Sequence, residues 1–240
     1  MTSPLRRAAL LLGLVGILVG TVVVATPAWA RASDGQIARR TLITVTDLPG
    51  TWTSTPPDQA ATTRAEKIAK TIPACKDYLA FTRANTRVVH ADSRTFSLGG
   101  AELSNSASVY PNVAAANRSM RSLGGFDVAQ CLTSTFQKVV DQGLAADPTT
   151  RGQVAATVKL EPVSDVPTSL GDDIVAYAGG MTLTLPDGSQ QNQILGFIAV
   201  RFGRLIDGFT FSAPTGVDVQ DPLQAALASS VGRAKDALAP

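Results

Sequence analysis

Two turn signals inside one apolar stretch constrain this chain more than any other feature. From Asp172 to Ala213 the sequence reads as three long antiparallel strands. Pro186-Asp187-Gly188-Ser189 marks the first turn and Gly203-Arg204 the second. A four-residue first turn pairs Leu185 with Gln190, so that Met181 faces Ile194, Tyr177 faces Ile198 and Val175 faces Val200. A two-residue second turn pairs Phe202 with Leu205, so that Ile198 faces Phe209 and Gly196 faces Phe211. Side chains alternate with period two, which makes one face of this meander apolar across its strands. The opposite face carries Ala176, Ala178, Thr182, Gln193, Phe197, Ala199, Arg201, Thr210 and Ser212, and is small and half polar. Asp207 breaks the pattern, because strict pairing sets it opposite Val200 on the apolar face. It belongs either to a bulge at Asp207-Gly208, the preferred reading, or to a sheet end in water.

The N-terminus indicates export. Arg6-Arg7 precedes an apolar run from Ala8 to Ala25, and Ala28-Trp29-Ala30 follows as a small-x-small cleavage signal. The expectation is a signal peptide over residues 1–30 and a single domain over residues 31–240. The apolar run is long for a signal peptide, so a retained anchor is the competing reading. Of 21 basic residues, removal of Arg6 and Arg7 leaves a balance with the 19 acidic ones. A neutral surface argues against nucleic acid or an anionic membrane as the main partner. The membrane enters only through an uncleaved leader. Cys75 and Cys131, both in the exported part, are expected to form one disulfide; two buried free thiols are the alternative.

Elsewhere the pattern mixes helices and strands. Residues 37–46 suit a short helix or a strand, and Thr53 to Thr63 reads as loop. Asp47-Leu48-Pro49-Gly50 is a turn, with Trp52 plugging a core edge behind it. Helical pieces are expected over residues 64–71 and from Pro73 through Tyr78, Leu79 and Phe81. Arg94, Phe96 and Leu98 alternate with Ser93, Thr95 and Ser97, which suggests a strand; after Gly99-Gly100, Leu103, Ala107 and Val109 alternate with serines. A helix from Pro111 carries the stripe Val113, Ala116, Met120 and Leu123, and a second, from Phe126 to Leu144, carries Ala129, Leu132, Phe136, Val139 and Val140. Gln153 to Glu161 is a one-side-buried strand, and Leu223, Leu227, Val231, Ala234 and Leu238 mark a final helix. The order predicts an α+β fold: an antiparallel sheet of about six strands, helices packed on its apolar face, and one disulfide.

Catalytic signals are sparse. His90 is the one histidine and reads as a solvated loop residue. G-x-S-x-G, H-E-x-x-H and P-loop patterns are absent, and Cys and His are too few for a zinc site, so no metal and no cofactor are expected. Asp172-Asp173 reads as turn or strand-start chemistry, since adjacent strand residues point to opposite faces. The small face of the meander is the candidate binding surface, with Thr182, Gln193, Phe197, Arg201 and Thr210 as its polar and aromatic groups. The competing readings are a helix packed over that face, or plain solvent.

Several segments together resemble the extracellular sensor domain of the mycobacterial receptor kinase PknH and its free-standing relatives. They are Asp47-Leu48-Pro49-Gly50 with Trp52, Cys75, Val109-Tyr110 before an Ala-rich helix, Cys131-Leu132, Leu170-Gly171-Asp172 and the Gly203-Arg204 turn. The resemblance runs over most of residues 36–238 and implies an antiparallel sheet with packed helices, a cleft, and ligand sensing rather than catalysis. The kinase-linked domain carries two disulfides, where this chain has one cysteine pair.

The expected function is a secreted, non-catalytic ligand-binding or sensor-like domain of the bacterial cell envelope. Its partner would be a small molecule or an envelope component. A cell-envelope scaffold or protein-interaction module is the first alternative, and a secreted hydrolase with unrecognised carboxylate chemistry the second. Export is directly measurable: intact-mass analysis of the exported protein should find Arg31 at the N-terminus. A membrane-bound species that keeps residues 1–30 would select the anchor reading.

Overall fold

The computed structural model describes residues 28–76, 78–79, 87–166 and 168–238. The expected piece around Phe81 and the apolar leader lie outside these residues. Among these residues the α-helices that accompany the sheet include α1 (Ala28–Thr41), α2 (Gln59–Ala69), α3 (Val113–Leu123), α4 (Phe126–Ala146) and α5 (Gln220–Leu238). The strands are β1 (Thr53–Thr55), β2 (Val89–Asp92), β3 (Thr95–Leu98), β4 (Ala101–Val109), β5 (Ala155–Pro162), β6 (Asp173–Thr184), β7 (Gln190–Phe202) and β8 (Leu205–Pro214). They form one antiparallel sheet in the order β1-β3-β4-β8-β7-β6-β5, with β2 also paired to β4. The α+β class is as expected, with eight strands rather than about six. Among the described residues no helix is long and apolar enough to cross a membrane.

Local differences from the sequence reading have local causes. Asp58 caps α2 by accepting from Ala61 N, so the helix starts inside the Thr/Pro-rich stretch expected to be loop, and β1 occupies that stretch's first residues. Residues 37–41 are helical, and α1 begins at Ala28, inside the expected cleavage motif. Trp52 is buried as expected, donating from Nε1 to Pro49 O at 2.8 Å. Val113 leaves the expected stripe: Asn112 caps α3 at Ala115 N, and Val113 is 47% exposed on the first turn.

The largest correction concerns the β6–β7 register. The turn closes with Gly188 N donating to Leu185 O and Leu185 N donating to Ser189 O, both at 2.9 Å. Gly188 takes φ +81°, and the Asp187 carboxylate accepts from Ser189 N and Oγ. This is a type I turn followed by a left-handed glycine, a three-residue loop closed by Leu185 and Ser189, one residue shorter than the expected four. Thr184 therefore pairs with Gln190, Met181 with Gln193 and Tyr177 with Phe197. The shift of one residue turns every β6 side chain to the other face. The Gly203-Arg204 turn does pair Phe202 with Leu205, and Ile198 meets Phe209 as expected.

Both faces of the sheet carry cores as a result. On the first, Tyr177, Met181, Leu183, Leu195, Ala199 and Ile206 join Met120 and Leu123 of α3 and the α4 stripe. On the second, Val200, Phe202, Leu205, Phe209, Leu103 and Val109 join α1 and α5. Cys75 and Cys131 form the expected disulfide with Cα atoms 4.8 Å apart, tying the Pro73–Cys75 turn to α4.

Asp207 lies in continuous ladders with β4 and β7, so the expected bulge is not there. Its carboxyl is fully buried beneath α1 and α5. Asn105 Nδ2 donates to Oδ1 at 2.9 Å, and Ser230 Oγ touches Oδ2. Ser230 Oγ also donates to Thr41 O at 2.7 Å, and Asn105 Oδ1 accepts from Ile43 N. A hydroxyl has one proton, so Ser230 cannot donate to both oxygens. A protonated Asp207 resolves this by donating to Ser230 while Ser230 donates to Thr41. Burial pushes the Asp207 carboxyl up to about 7, against the opposing effects of Ser230, Asn105 and the Arg233 charge. The bulge lies instead at Ser93-Arg94, where the β2 and β3 registers against β4 differ by one residue. There Ser93 N donates to Asn105 O and Ser93 Oγ accepts from Asn105 N.

Two predictions follow from these contacts. Replacing Cys75 or Cys131 by Ala should lower unfolding free energy in denaturant titration by about 2–4 kcal/mol; an unchanged midpoint would show that the bridge contributes nothing. Asp207 contributes pH-dependent stability of a definite sign. Its folded value lies above the ordinary 3.8, so its contribution is full below that value and lost as pH rises through 7. The displacement corresponds to about 4 kcal/mol as an order of magnitude. Asp207→Asn keeps both hydrogen bonds without ionising, so the variant should be more stable than the parent at about pH 8 and flatter between about pH 4 and 8. Parallel pH–stability curves for the two proteins would contradict the buried-acid account.

Candidate functional site

Strand β4 alternates Ala101, Leu103, Asn105, Ala107 and Val109 with Glu102, Ser104, Ser106 and Ser108. The first set enters the core under α1 and α5, which aims the second set at the first face. Pairing with β8 puts Ser212 beside Glu102 and Thr210 beside Ser104. Pairing of β8 with β7 then brings Leu195 beside Ser212 and Phe197 beside Thr210. A strip of small hydroxyls therefore runs along β4 and β8 and meets an aromatic and an aliphatic side chain on β7.

Along this strip Leu195, Ser212 and Thr210 are buried, and Glu102, Ser104, Phe197 and Gln193 beside them are half-buried. Strand spacings place the Cα atoms of Glu102, Phe197 and Gln193 about 12–14 Å from one another. Glu102 Oε2 is buried without a hydrogen-bond partner, and burial pushes the carboxyl up to about 7. The sequence reading passed over Glu102. Its signal was parity: it shares the alternation of the β4 serines, although it is not itself part of the meander.

His90 is not a loop residue. It lies in β2, where the bulge at Ser93-Arg94 aligns it with Ser108 and Asp92 with Ser106. Nδ1 sits 2.9 Å from Ser108 Oγ and Nε2 2.8 Å from Asp92 Oδ1. The residue types match a Ser-His-Asp relay, but Ser108 is 1% exposed, which bars a substrate carbonyl from its oxygen. Among the described residues no cluster of three or more His, Cys, Asp or Glu is placed to hold a metal.

The five residues expected to share a binding surface fall into three places. Gln193, Phe197 and Thr210 share the first face, on neighbouring positions of β7 and β8. Thr182 is on the opposite face through the register shift, opposite Asn192, and its hydroxyl donates to Asn192 Oδ1 at 2.8 Å. Arg201 shares the first face but lies four residues beyond Phe197, about 14 Å along β7. It is buried, and its guanidinium donates to Asp172 Oδ2 at 3.0 Å and to Gly203 O at 3.1 Å. Asp172 in turn accepts from Gly203 N, which is the turn chemistry expected of the acidic pair. Asp173 opens β6.

No protein-family model matches the chain, and no curated protein does. Among solved structures the chain is similar to "Crystal structure of the extracellular domain of PknH from Mycobacterium tuberculosis". The TM-score is 0.42 and the sequence identity 10%, over 90% of this chain and 100% of that one. The likeness is a weak one, of fold only.

Proposed function

We propose that the protein is an exported, non-catalytic, sensor-like binding domain of the bacterial cell envelope, with its site on the half-buried strip between Glu102, Phe197 and Gln193. One observation carries this reading: Glu102 Oε2 is buried with no donor to accept from among the described residues. A buried acceptor without a donor costs about 1–3 kcal/mol, which a ligand donor would remove. Phe197 supplies an apolar surface beside it, and Ser104 and Gln193 supply hydroxyl and amide groups at half-buried positions. These groups suit a small molecule with an amine or hydroxyl donor on a partly apolar body. Export is supported by the leader pattern and by the Cys75–Cys131 disulfide, which suits an oxidising compartment.

A second reading, an envelope interaction module, draws on a different surface. On the second face Ile194 is exposed, and Ala178, Gly180 and Thr182 beside it are half-buried.

The test begins with a thermal-shift screen of small amines, amides and polyols, followed by calorimetry on the hits. Phe197→Ala should weaken binding by about 1–3 kcal/mol. Gln193→Ala and Glu102→Gln should weaken it as well, without changing the fold by circular dichroism. A donor-bearing ligand should bind more tightly as pH rises through about 7, where Glu102 ionises. Affinity that all three variants leave unchanged would place the site elsewhere.

A further inference from the structure

The turn between β7 and β8 borders a second cavity, of about 610 Å³, at the opposite end of β7 from Gln193. It lies between the turn, the Thr168–Leu170 segment, the first residue of α3 and the last turn of α5. Its volume is within the usual range for small-molecule sites. Val113 and Leu238 form an apolar wall over Phe202, and Arg204, Lys235 and Asp172 bring charge.

The charges do not cancel. Arg204 donates to Asp34 at 2.6 Å and to Tyr110 O at 3.2 Å, so it is held rigidly with its own counterion. Arg201, behind the lining, is matched by Asp172. Its Nε is nonetheless buried with no partner, so that guanidinium is incompletely compensated. No carboxylate among the described residues pairs with Lys235, which is exposed at the cavity rim. The N-terminal end of α3 and the C-terminal end of α5 both reach the cavity, so their dipoles oppose and the side chains decide the sign. The result is a positive rim beside an apolar wall that leaves Val113 47% exposed.

We infer that this cavity binds a single-chain amphiphilic anion, with a carboxylate or phosphate head at Lys235 and its alkyl chain against Val113, Phe202 and Leu238. A neutral polar ligand would leave the positive rim uncompensated, and an inorganic anion would leave the wall wet. The inference is independent of the Glu102–Phe197 strip, which lies on another part of the sheet.

Calorimetry of the purified protein with decanoate and decyl phosphate, below their micellar concentrations, tests it. Acetate and methyl decanoate are the controls that lack the chain and the charge. Saturable one-to-one binding of at least one decyl anion is expected, with the preferred head group distinguishing the carboxylate and phosphate sources. Lys235→Gln should weaken that binding by about tenfold or more, the cost of a lost charge-assisted hydrogen bond, and leave methyl decanoate unaffected. Val113→Asp, at an exposed position, should weaken all three long-chain ligands, while Phe197→Ala should change none of them. Equal binding of decanoate, decyl phosphate and methyl decanoate, no saturable binding, or loss of binding in Phe197→Ala would each overturn the assignment.

Discussion

The register between β6 and β7 is the constraint on which the rest of the structure depends. A left-handed Gly188, with Asp187 closing on Ser189, makes a three-residue loop where four residues were expected. That difference of one residue decides which β6 side chains meet α3 and α4. With it, Tyr177, Met181 and Leu183 enter the first core alongside Leu195. Ile174 and Ile198 go to the other face, toward α5 and Phe209. A sheet with apolar groups on both faces needs helices on both, and the chain supplies them from its two ends and its middle.

The second face is held by polar contacts as well as packing. Asn105 and Asp207 project from neighbouring strands into a layer otherwise built of Val200, Phe209 and Ala213. Through Thr41, Ile43 and Ser230 they bind α1 and the segment after it to α5. Arg233 reinforces the same junction by donating to Asp47 at 2.9 Å and to Leu42 O at 3.0 Å. Asp47 feels opposing effects: burial raises its carboxyl, and hydrogen bonds from Arg233 and Thr44 outweigh that and hold it low. One carboxyl is thus kept ionised by an arginine while the neighbouring buried one is pushed toward neutrality. The bulge at Ser93 belongs to the same device, since its backbone and hydroxyl satisfy Asn105.

The first face carries the hydroxyl strip of β4 and β8. Helices α3 and α4 pack on this face, and along the strip Ser106, Ser108, Thr210 and Ser212 are buried while Glu102 and Ser104 are half-buried. Alternation along β7 and β8 placed Gln193, Phe197 and Thr210 together correctly, because both strands flank a two-residue turn whose register is unambiguous. Thr182 was misplaced by the shorter loop, and Arg201 by distance rather than by face. Glu102 was legible only as parity along β4. Which strand lies beside β8 is a matter of topology, and more than a hundred residues separate Glu102 from Ser212 in the chain.

Local chemistry made the turns, the helix stripes of α4 and α5, the cysteine pair and the α+β class readable, because each depends on residues a few positions apart or on composition. The tertiary structure alone decided the β4–β8 pairing, the covering of both sheet faces, the burial of Asp207 and the strand setting of His90. These depend on contacts between distant segments, and the physical reason is the period of two in a strand. A sequence specifies which residues share a face with one another, but a single residue in a turn, or the choice of neighbouring strand, decides what that face meets.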